Sequence, residues 1–315
     1  MLSSGYRYTY GPVQSRRLGR SLGVDLVPFK ICSFDCIYCQ LGRTTNKTIQ
    51  RKEYISTIKV IQEVEKRLSG NLPFDYITLA GSGEPTLHSD IGLIIQAIKS
   101  FTSIPIAVIT NGSLLLETEV QDALMEADLI IPSLDAGSEK LFKKINRPHK
   151  DLNFNTIVDG ICEFRNRFKK SILLEVFLLS KINDLIPEIE NIASLVNRIN
   201  PDKVQLNTVA RPPAEEYARP ISTEKLMVIK NMFKVNSEVI HKPILDKSLS
   251  TSNNTTKNDE ILALLERRPC TIKDVANSLG LCVNETVKQL DQFSKRKIKT
   301  LRFGDDRFFY RNKEV

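Results

Sequence analysis

The 315 residues are 41% hydrophobic and 26% charged, a balance that supports a sizeable core and excludes a wholly disordered chain. No apolar run approaches the roughly 18 residues that span a bilayer, and the amino terminus lacks the apolar stretch of a secretory signal, so we expect a cytoplasmic protein. The net charge of +8 and the pI of about 9.1 favour an anionic partner.

Short runs rich in Val, Ile and Leu alternate with helical patterns between residues 23 and 234. The runs show little period-two alternation, which is typical of strands buried on both faces of a parallel sheet. The predicted strands span 23–27, 76–80, 104–110, 128–134, 172–179 and 203–208. The predicted helices span 57–68, 91–100, 117–126, 156–168, 185–199 and 223–233. These six β–α units predict an α/β fold, a partial (β/α)6 barrel rather than a closed barrel of eight units.

Parallel α/β folds bind ligands at the carboxyl ends of their strands, and polar or cysteine-rich segments follow five of the six predicted strands. Because these ends meet at one rim, we expect the segments to converge there. They are the cysteine loop, the run from Gly81 to Pro85, Asn111 with Gly112, Ser133 with Asp135, and Asn207.

Beyond the last unit, residues 243–258 are polar and of low complexity, which is typical of a linker. Helical patterns follow at 259–267, 271–279 and 283–294, with Thr271 as a helix cap and Gly280 as a stop. Two short strands, 299–303 and 307–310, flank a turn. We therefore predict a barrel domain at 1–242, a linker at 243–258 and a winged helix-turn-helix domain at 259–315.

The predicted small domain is also the densest positive region. The 59 residues from Lys257 onward hold 13 basic and 9 acidic residues, against 32 and 28 in the other 256. A basic tail suits contact with nucleic-acid phosphates, and a helix bearing Lys288, Lys295, Arg296 and Lys297 would supply cations for it. A solvated surface or a protein-docking module is the alternative.

Three of the six cysteines lie within eight residues, in Cys32-Ser-Phe-Asp-Cys36-Ile-Tyr-Cys39, whereas Cys162, Cys270 and Cys282 are scattered. Cysteines in a cytoplasmic chain rarely form disulfides, and thiolates bind zinc or iron–sulfur clusters well. A structural zinc site requires four ligands, and no fourth Cys or His is nearby. Three thiolates on a cubane leave one iron open to an exogenous ligand.

This C-x3-C-x2-C spacing, with Tyr38 before the last cysteine, resembles the signature of the radical S-adenosylmethionine (SAM) superfamily. The resemblance implies a six-unit partial barrel, and a [4Fe–4S] cluster held by Cys32, Cys36 and Cys39. It further implies that SAM chelates the open iron and is cleaved reductively to methionine and a 5′-deoxyadenosyl radical. The electron would come from a flavodoxin- or ferredoxin-type donor.

The same resemblance implies residues that hold SAM. Ser82-Gly83-Glu84-Pro85 is similar to the superfamily's Gly-Gly-Glu-Pro element, which contacts the methionyl amino group, with Ser in place of the first Gly. Asn111 and Ser133 are implied contacts of the ribose and the carboxylate. Asp135 would either face the ligand or cap a helix. Glu175 lies within a strand, so it would either contact the ligand or form an internal ion pair.

Arginine side chains flank the predicted rim. Arg211, before Pro212 and Pro213, is our candidate for substrate binding, because guanidinium groups bind phosphate and carboxylate bidentately. A structural ion pair is the alternative for Arg211. Arg16, Arg17 and Arg20 precede the first predicted strand and are weaker candidates, with a solvated surface as their alternative.

The segments 15–19 and 206–213 resemble a prokaryotic radical SAM subgroup that is grouped with the wyosine-type transfer-RNA base synthases. Our first functional hypothesis is therefore a radical SAM enzyme that modifies a macromolecule, most readily RNA. The second is a protein-modifying enzyme such as a glycyl-radical activase. The third is a redox-responsive DNA-binding regulator, which the polar strand-end residues disfavour because a sensor needs no nucleoside pocket.

Overall fold

A computed structural model describes residues 7–70, 72–240, 257–293 and 297–311. Its strands, in chain order, are β1 (Thr9–Ser15), β2 (Gly19–Val24), β3 (Ile31–Cys32), β4 (Asn46–Lys47), β5 (Tyr76–Leu79), β6 (Ile106–Thr110), β7 (Leu129–Pro132), β8 (Ser171–Leu178), β9 (Lys203–Thr208), β10 (Ser237–Val239), β11 (Ile298–Phe303) and β12 (Asp306–Arg311). The helices are α1 (Thr57–Leu68), α2 (Ile91–Phe101), α3 (Thr118–Leu124), α4 (Glu139–Ile145), α5 (Phe154–Arg167), α6 (Ile186–Ile199), α7 (Thr223–Lys230), α8 (Lys257–Arg267), α9 (Ile272–Leu279) and α10 (Val283–Gln292).

The central sheet has the strand order β1-β2-β5-β6-β7-β8-β9-β10. The six predicted strands occupy consecutive positions and pair in parallel, from β2 to β9. Two further strands extend the sheet: β10 pairs in parallel with β9, and β1 pairs antiparallel with β2. The sheet is open in the described residues, with β1 and β10 at its edges, so the predicted α/β class is confirmed and a closed barrel is not formed.

The main core fills the space between the sheet and its covering helices. Strand residues such as Ile77, Val108 and Ile130 are fully buried, as are Ile94 on α2 and Ile192 on α6. Strands covered on both faces have no solvent side, which explains why their sequences lack alternation. This packing fixes the carboxyl ends of β2 to β9 along one rim.

The carboxyl-terminal elements form in the predicted order, as three helices followed by an antiparallel hairpin. Thr271 caps α9 in a reciprocal capping box with Asp274, and Gly280 ends that helix with φ +63°. The predicted linker lies outside the described residues except for 257–258, as do Lys295 and Arg296.

These elements share a hydrophobic cluster with the edge strand of the sheet. Ile261, Leu264 and Val275 pack with Val13 of β1, and Tyr10 lies against them. A buried ion pair joins Arg267 Nε to Asp25 Oδ2 at 2.6 Å, with side chains only 8% and 6% exposed. The carboxyl-terminal elements are therefore docked on the sheet edge beside the rim. Among the described helices, none is long and apolar enough to cross a membrane.

Candidate functional site

A cavity of about 400 Å³ opens at the carboxyl ends of the strands, within the size range of small-molecule sites. The sequence-predicted residues that line it are Cys32, Cys36, Cys39, Tyr38, Gly83, Glu84, Asn111, Ser133, Glu175, Asn207, Arg16, Arg17 and Arg211. Ser82, Pro85 and Asp135 are buried behind this lining. The expected convergence of separate strand ends is therefore observed.

Each cysteine of the triad has its own nitrogen donor. Lys30 Nζ lies 3.2 Å from Cys39 Sγ, Asn111 Nδ2 lies 3.6 Å from Cys32 Sγ, and Asn146 Nδ2 lies 3.5 Å from Cys36 Sγ. Donors directed at sulfur stabilise thiolate character and tune clusters that the sulfur binds. Lys30 and Asn146 were not predicted, because neither belongs to a recognisable motif.

Burial opposes ionisation of two of these thiols, Cys32 and Cys36. It raises the pKa of Cys32 to about 12, with the Glu84 charge adding to the effect. It also raises the pKa of Cys36 well above its usual range, with Asp135 contributing. Burial lowers the pKa of Lys30, but the charges of Cys39 and Cys32 outweigh this and the net direction is upward. Cys32 and Cys36 therefore stay protonated until a positively charged group binds them and displaces the protons.

The donor set fits an iron–sulfur cubane. Three sulfurs with separate hydrogen-bond donors line one cavity beside a buried ammonium group, and these thiols are soft ligands. No group of three or more His, Cys, Asp or Glu in the described ranges is arranged around a single metal ion. A cubane places its thiolates on different iron atoms, so it does not require them to converge on one point.

The loop from Gly81 to Pro85 is fixed to the cysteine loop by backbone contacts. Glu84 N donates to Ile31 O at 3.1 Å, and a Cβ at Gly83 would lie 1.8 Å from that same oxygen. Ser82 O accepts from Lys30 N at 2.6 Å. Only glycine at position 83 allows so close an approach.

The Glu84 carboxylate binds its own chain on both oxygens. Oε1 accepts from Thr86 N, Thr86 Oγ1 and Thr110 Oγ1, and Oε2 accepts from Asn111 N at 2.8 Å. Burial raises the pKa of Glu84, and these hydrogen bonds oppose the rise. The geometry indicates that Glu84 positions the end of β6, and with it Asn111, at the rim.

Asn111 and Ser133 both face the cavity, but among the described residues only the Asn111 side chain is held by hydrogen bonds. Asn111 Nδ2 donates to Ser33 Oγ at 2.8 Å, and Asn111 Oδ1 accepts from Ser113 N at 2.9 Å. In the described part of the chain, the Ser133 hydroxyl has no hydrogen bond of its own, although its backbone bridges to Glu175. The Ser133 side chain is thus available to a ligand.

Asp135 supports the cysteine loop from behind. It accepts hydrogen bonds from Tyr38 Oη, from Asn146 Nδ2 at 2.7 Å and from Phe177 N at 3.1 Å. Burial raises the pKa of Asp135 to about 6, and the bonds from Tyr38 and Asn146 oppose that rise. The Tyr38 ring stacks on Phe177 with centroids 3.9 Å apart. Asp135 therefore orients Asn146, the donor to Cys36.

Glu175 forms the internal ion pair that was one of its two predicted alternatives. Its Oε1 accepts from Arg17 Nη2 and from Asn207 Nδ2, the latter at 2.6 Å. Both partners of the ion pair are only 10% exposed, so Arg17 is a cavity residue rather than a solvated one. Arg20, by contrast, pairs with Asp75 at the surface.

Arg211 contacts the carboxyl-terminal elements. Its Nε donates to Pro269 O at 3.1 Å, and its Nη2 lies 3.5 Å from Asp274 Oδ1. The structural ion pair predicted as the alternative for Arg211 is thus present, while the side chain also lines the cavity. Arg267 and Arg268 line the same cavity and were not predicted, because no local sequence pattern indicates that the carboxyl-terminal region reaches it.

Comparison with known proteins shows the family to which the chain belongs. The family model described as the radical SAM superfamily matches residues 26–196, more than half of the chain. The chain therefore belongs to the radical SAM superfamily, as the cysteine motif predicted. It is a radical SAM enzyme, and its cofactors are a [4Fe–4S] cluster and SAM.

Relatives in sequence place the chain in a narrower family within the superfamily. The chain is 35% identical over 313 residues to a UPF0026 protein of Methanocaldococcus jannaschii, covering 96% of this chain and 95% of that protein. It is thus a UPF0026-type protein. It is also 42% identical over 293 residues to a protein of Brachyspira hyodysenteriae named GTPase Obg, but this chain spans only 42% of that protein's length.

Solved structures share the fold at low identity. A radical SAM methyltransferase from Sphaerobacter thermophilus has a TM-score of 0.54 at 17% identity, over 70% of this chain and 65% of that one. TYW1 with a lysine–pyruvate adduct has a TM-score of 0.52 at 16% identity, over 71% and 74%. These similarities show the α/β fold alone, so the predicted wyosine-type subgroup stays a prediction.

Proposed function

We propose that this enzyme cleaves SAM reductively and uses the resulting 5′-deoxyadenosyl radical to modify a macromolecular substrate, with RNA as the first choice. The observation that carries the proposal is the single cavity shared by the cysteine triad, the Gly83 loop, Asn111 and Ser133. A redox sensor would need the cluster but no such polar recess at the strand ends.

Each residue has an assigned task in this proposal. Cys32, Cys36 and Cys39 hold the cluster, which, when bound, supplies the electron for reductive cleavage of SAM. Asn111 and Ser133 bind the polar groups of SAM, because Ser133 has an unengaged hydroxyl and Asn111 is held in place beside Cys32.

The Ser82 to Pro85 loop offers its backbone to the methionyl amino group. Gly83 and Glu84 line the cavity, with Ser82 and Pro85 packed behind them. Tyr38 and Asp135 keep the cysteine loop in place. We further propose that a flavodoxin- or ferredoxin-type protein delivers the electron.

RNA is favoured by exposed cations on the carboxyl-terminal elements. Arg302 lies directly opposite Arg307 in the β11–β12 hairpin, and both are exposed. Like charges placed opposite each other are destabilising unless an anion lies between them. Lys273, Lys288 and Lys297 are exposed on the same elements. We therefore propose that residues 259–315 act as a winged helix that binds the RNA backbone, connected by 243–258 to the sheet domain at 1–242.

The first experiment tests radical chemistry. The chain is reconstituted anaerobically with iron and sulfide, supplied with SAM and dithionite, and assayed for 5′-deoxyadenosine by mass spectrometry. We expect product from wild type and none from Cys36→Ala, which should also lose the cluster's visible absorption. Cys162→Ala, a cysteine on α5 outside the cavity lining, is the matched control and should behave like wild type. Absence of product from wild type with an intact cluster would refute the proposal.

The second experiment tests RNA binding. Arg302→Gln should lower the slope of log affinity against log salt by about 0.7 to 0.9, the contribution of one phosphate contact. Lys169→Gln removes an exposed charge between α5 and the start of β8, at the end of the strands opposite the rim, and should leave the slope unchanged. Equal slopes for Arg302→Gln and wild type would favour a protein substrate.

A further inference from the structure

Five arginine side chains line the cavity, and they come from three separate parts of the chain: Arg16, Arg17, Arg211, Arg267 and Arg268. Two of them are neutralised by buried carboxylates, because Arg17 pairs with Glu175 and Arg267 pairs with Asp25. The remaining three have weaker carboxylate compensation or none among the described residues.

The three guanidinium groups with the least carboxylate compensation are those of Arg16, Arg211 and Arg268. In the described ranges, no carboxylate lies within 4 Å of Arg16 or Arg268, and the Nε of Arg268 is buried without a hydrogen-bond partner. Arg211 has only Asp274, with 3.5 Å between nitrogen and oxygen. Buried donors of this kind normally have partners.

Electrostatics shows that the three groups lie close enough to repel one another. Burial lowers the pKa of Arg16 to about 10; the charges of Arg211, Arg17 and Arg268 add to that effect, and the charge of Glu175 opposes it. Burial also lowers the pKa of Arg211, with Arg268 next in importance. Guanidinium groups stay protonated at neutral pH, so a bound anion would relieve the repulsion that Glu175 and Asp274 leave uncompensated.

We infer that Arg16, Arg211 and Arg268 form an anion subsite that binds a phosphoryl group of the substrate. Three cations with partly unsatisfied N–H groups match a di- or trianion better than the single charge of a carboxylate. The inference deepens the proposed function and rests on it, because it names a phosphorylated substrate, such as a nucleotide unit, for the same cavity.

The subsite exists only because the carboxyl-terminal elements dock on the sheet. Arg16 follows β1 and Arg211 follows β9, whereas Arg268 comes directly after α8. Arg211 holds this junction through Pro269 O, one residue beyond Arg268. The carboxyl-terminal region therefore contributes a residue to the substrate cavity in addition to its exposed basic surface.

The test measures binding of inorganic pyrophosphate to the full chain by calorimetry. The protein carries a reconstituted cluster and saturating SAM, and no reductant is added. We expect saturable binding by wild type and a dissociation constant raised about tenfold in Arg268→Gln and in Arg16→Gln, since each loses a charged hydrogen bond. Arg20→Gln, which removes a surface arginine paired with Asp75, is the matched control and should bind like wild type.

Several results would overturn the inference. Wild type without saturable binding, a control as weak as Arg268→Gln, or equal binding of acetate would each exclude a phosphoryl subsite. Competition between pyrophosphate and SAM would assign the arginines to the SAM carboxylate instead. Arg16 and Arg268 lie in different segments of the chain. If both variants lose binding while their circular dichroism spectra match that of wild type, a folding defect is excluded as the cause. Because no reductant is present, the titration reports on the subsite whether or not 5′-deoxyadenosine forms.

Discussion

Replacing Arg267 with Met tests how the carboxyl-terminal elements are attached. The Arg267 guanidinium donates to Asp25 Oδ2 at 2.6 Å, to Ala263 O at 3.0 Å and to Arg7 O at 2.7 Å, and it lies over the Tyr10 ring. Removing one partner of a buried ion pair leaves the other charge uncompensated, which costs about 3 to 5 kcal/mol. Urea unfolding should show a loss of this size.

The pH dependence separates the ion pair from lost packing. Burial raises the pKa of Asp25, and the charge of Arg267 opposes that rise, so the variant's Asp25 has a still higher pKa. A carboxyl group whose pKa is higher in the folded than in the unfolded state favours folding below the unfolded pKa, and this contribution is lost as pH rises through the folded pKa. The stability deficit of Arg267→Met should therefore be larger at pH 8 than at pH 5.

The control is Arg20→Met, which breaks the surface pair with Asp75 and should cost no more than about 1 kcal/mol. A deficit for Arg267→Met that is below 1 kcal/mol, or that is the same at pH 5 and pH 8, would refute a buried ion pair between the sheet and the carboxyl-terminal elements.

Three further changes have defined outcomes. Gly83→Ala should lower the free energy of unfolding in urea by about 3 kcal/mol, because the added Cβ meets Ile31 O. Gly42→Ala is the control: its Cβ would enter open space, so it should cost about 1 kcal/mol for its positive φ. Equal losses would contradict the close approach at Gly83. Thr271→Ala should cost about 1 kcal/mol by thermal unfolding, and no change would deny the cap. Lys30→Met should lower the cluster's midpoint potential in an EPR titration, because a cation beside Cys39 is lost. A rise in the potential would contradict the role of the Lys30 charge in stabilising the reduced cluster.

The sequence by itself determined the repeated units and the chemistry of the cysteine loop. The predicted bounds of α1 at 57–68 and β9 at 203–208 match the structure, because the apolar pattern of a helix and that of a short strand are local signals. The spacing of Cys32, Cys36 and Cys39 indicated the cofactor without any knowledge of distant contacts. Thr271 and Gly280 marked the ends of α9 for the same local reason.

Tertiary structure alone decided how the ends of the chain meet. The edge strand β1 was missed, since Gly11 and Pro12 interrupt its pattern and its apolar residues are few. Its Val13 becomes buried only against α8 and α9, which lie about 250 residues further along the chain. The anchoring role of Glu84 likewise depends on the folded chain, which places Thr110 and Asn111 against its carboxylate.

Long-range packing also explains why two adjacent arginines have different environments. Arg267 and Arg268 are adjacent in sequence and chemically identical, yet one is paired with Asp25 and the other faces the cavity with its Nε unpartnered among the described residues. Side-chain type and local pattern are the same for both, so only the docking of α8 on the sheet edge distinguishes them. The sequence thus specified the cysteine loop, whereas long-range packing determined which cations line the cavity at the strand ends.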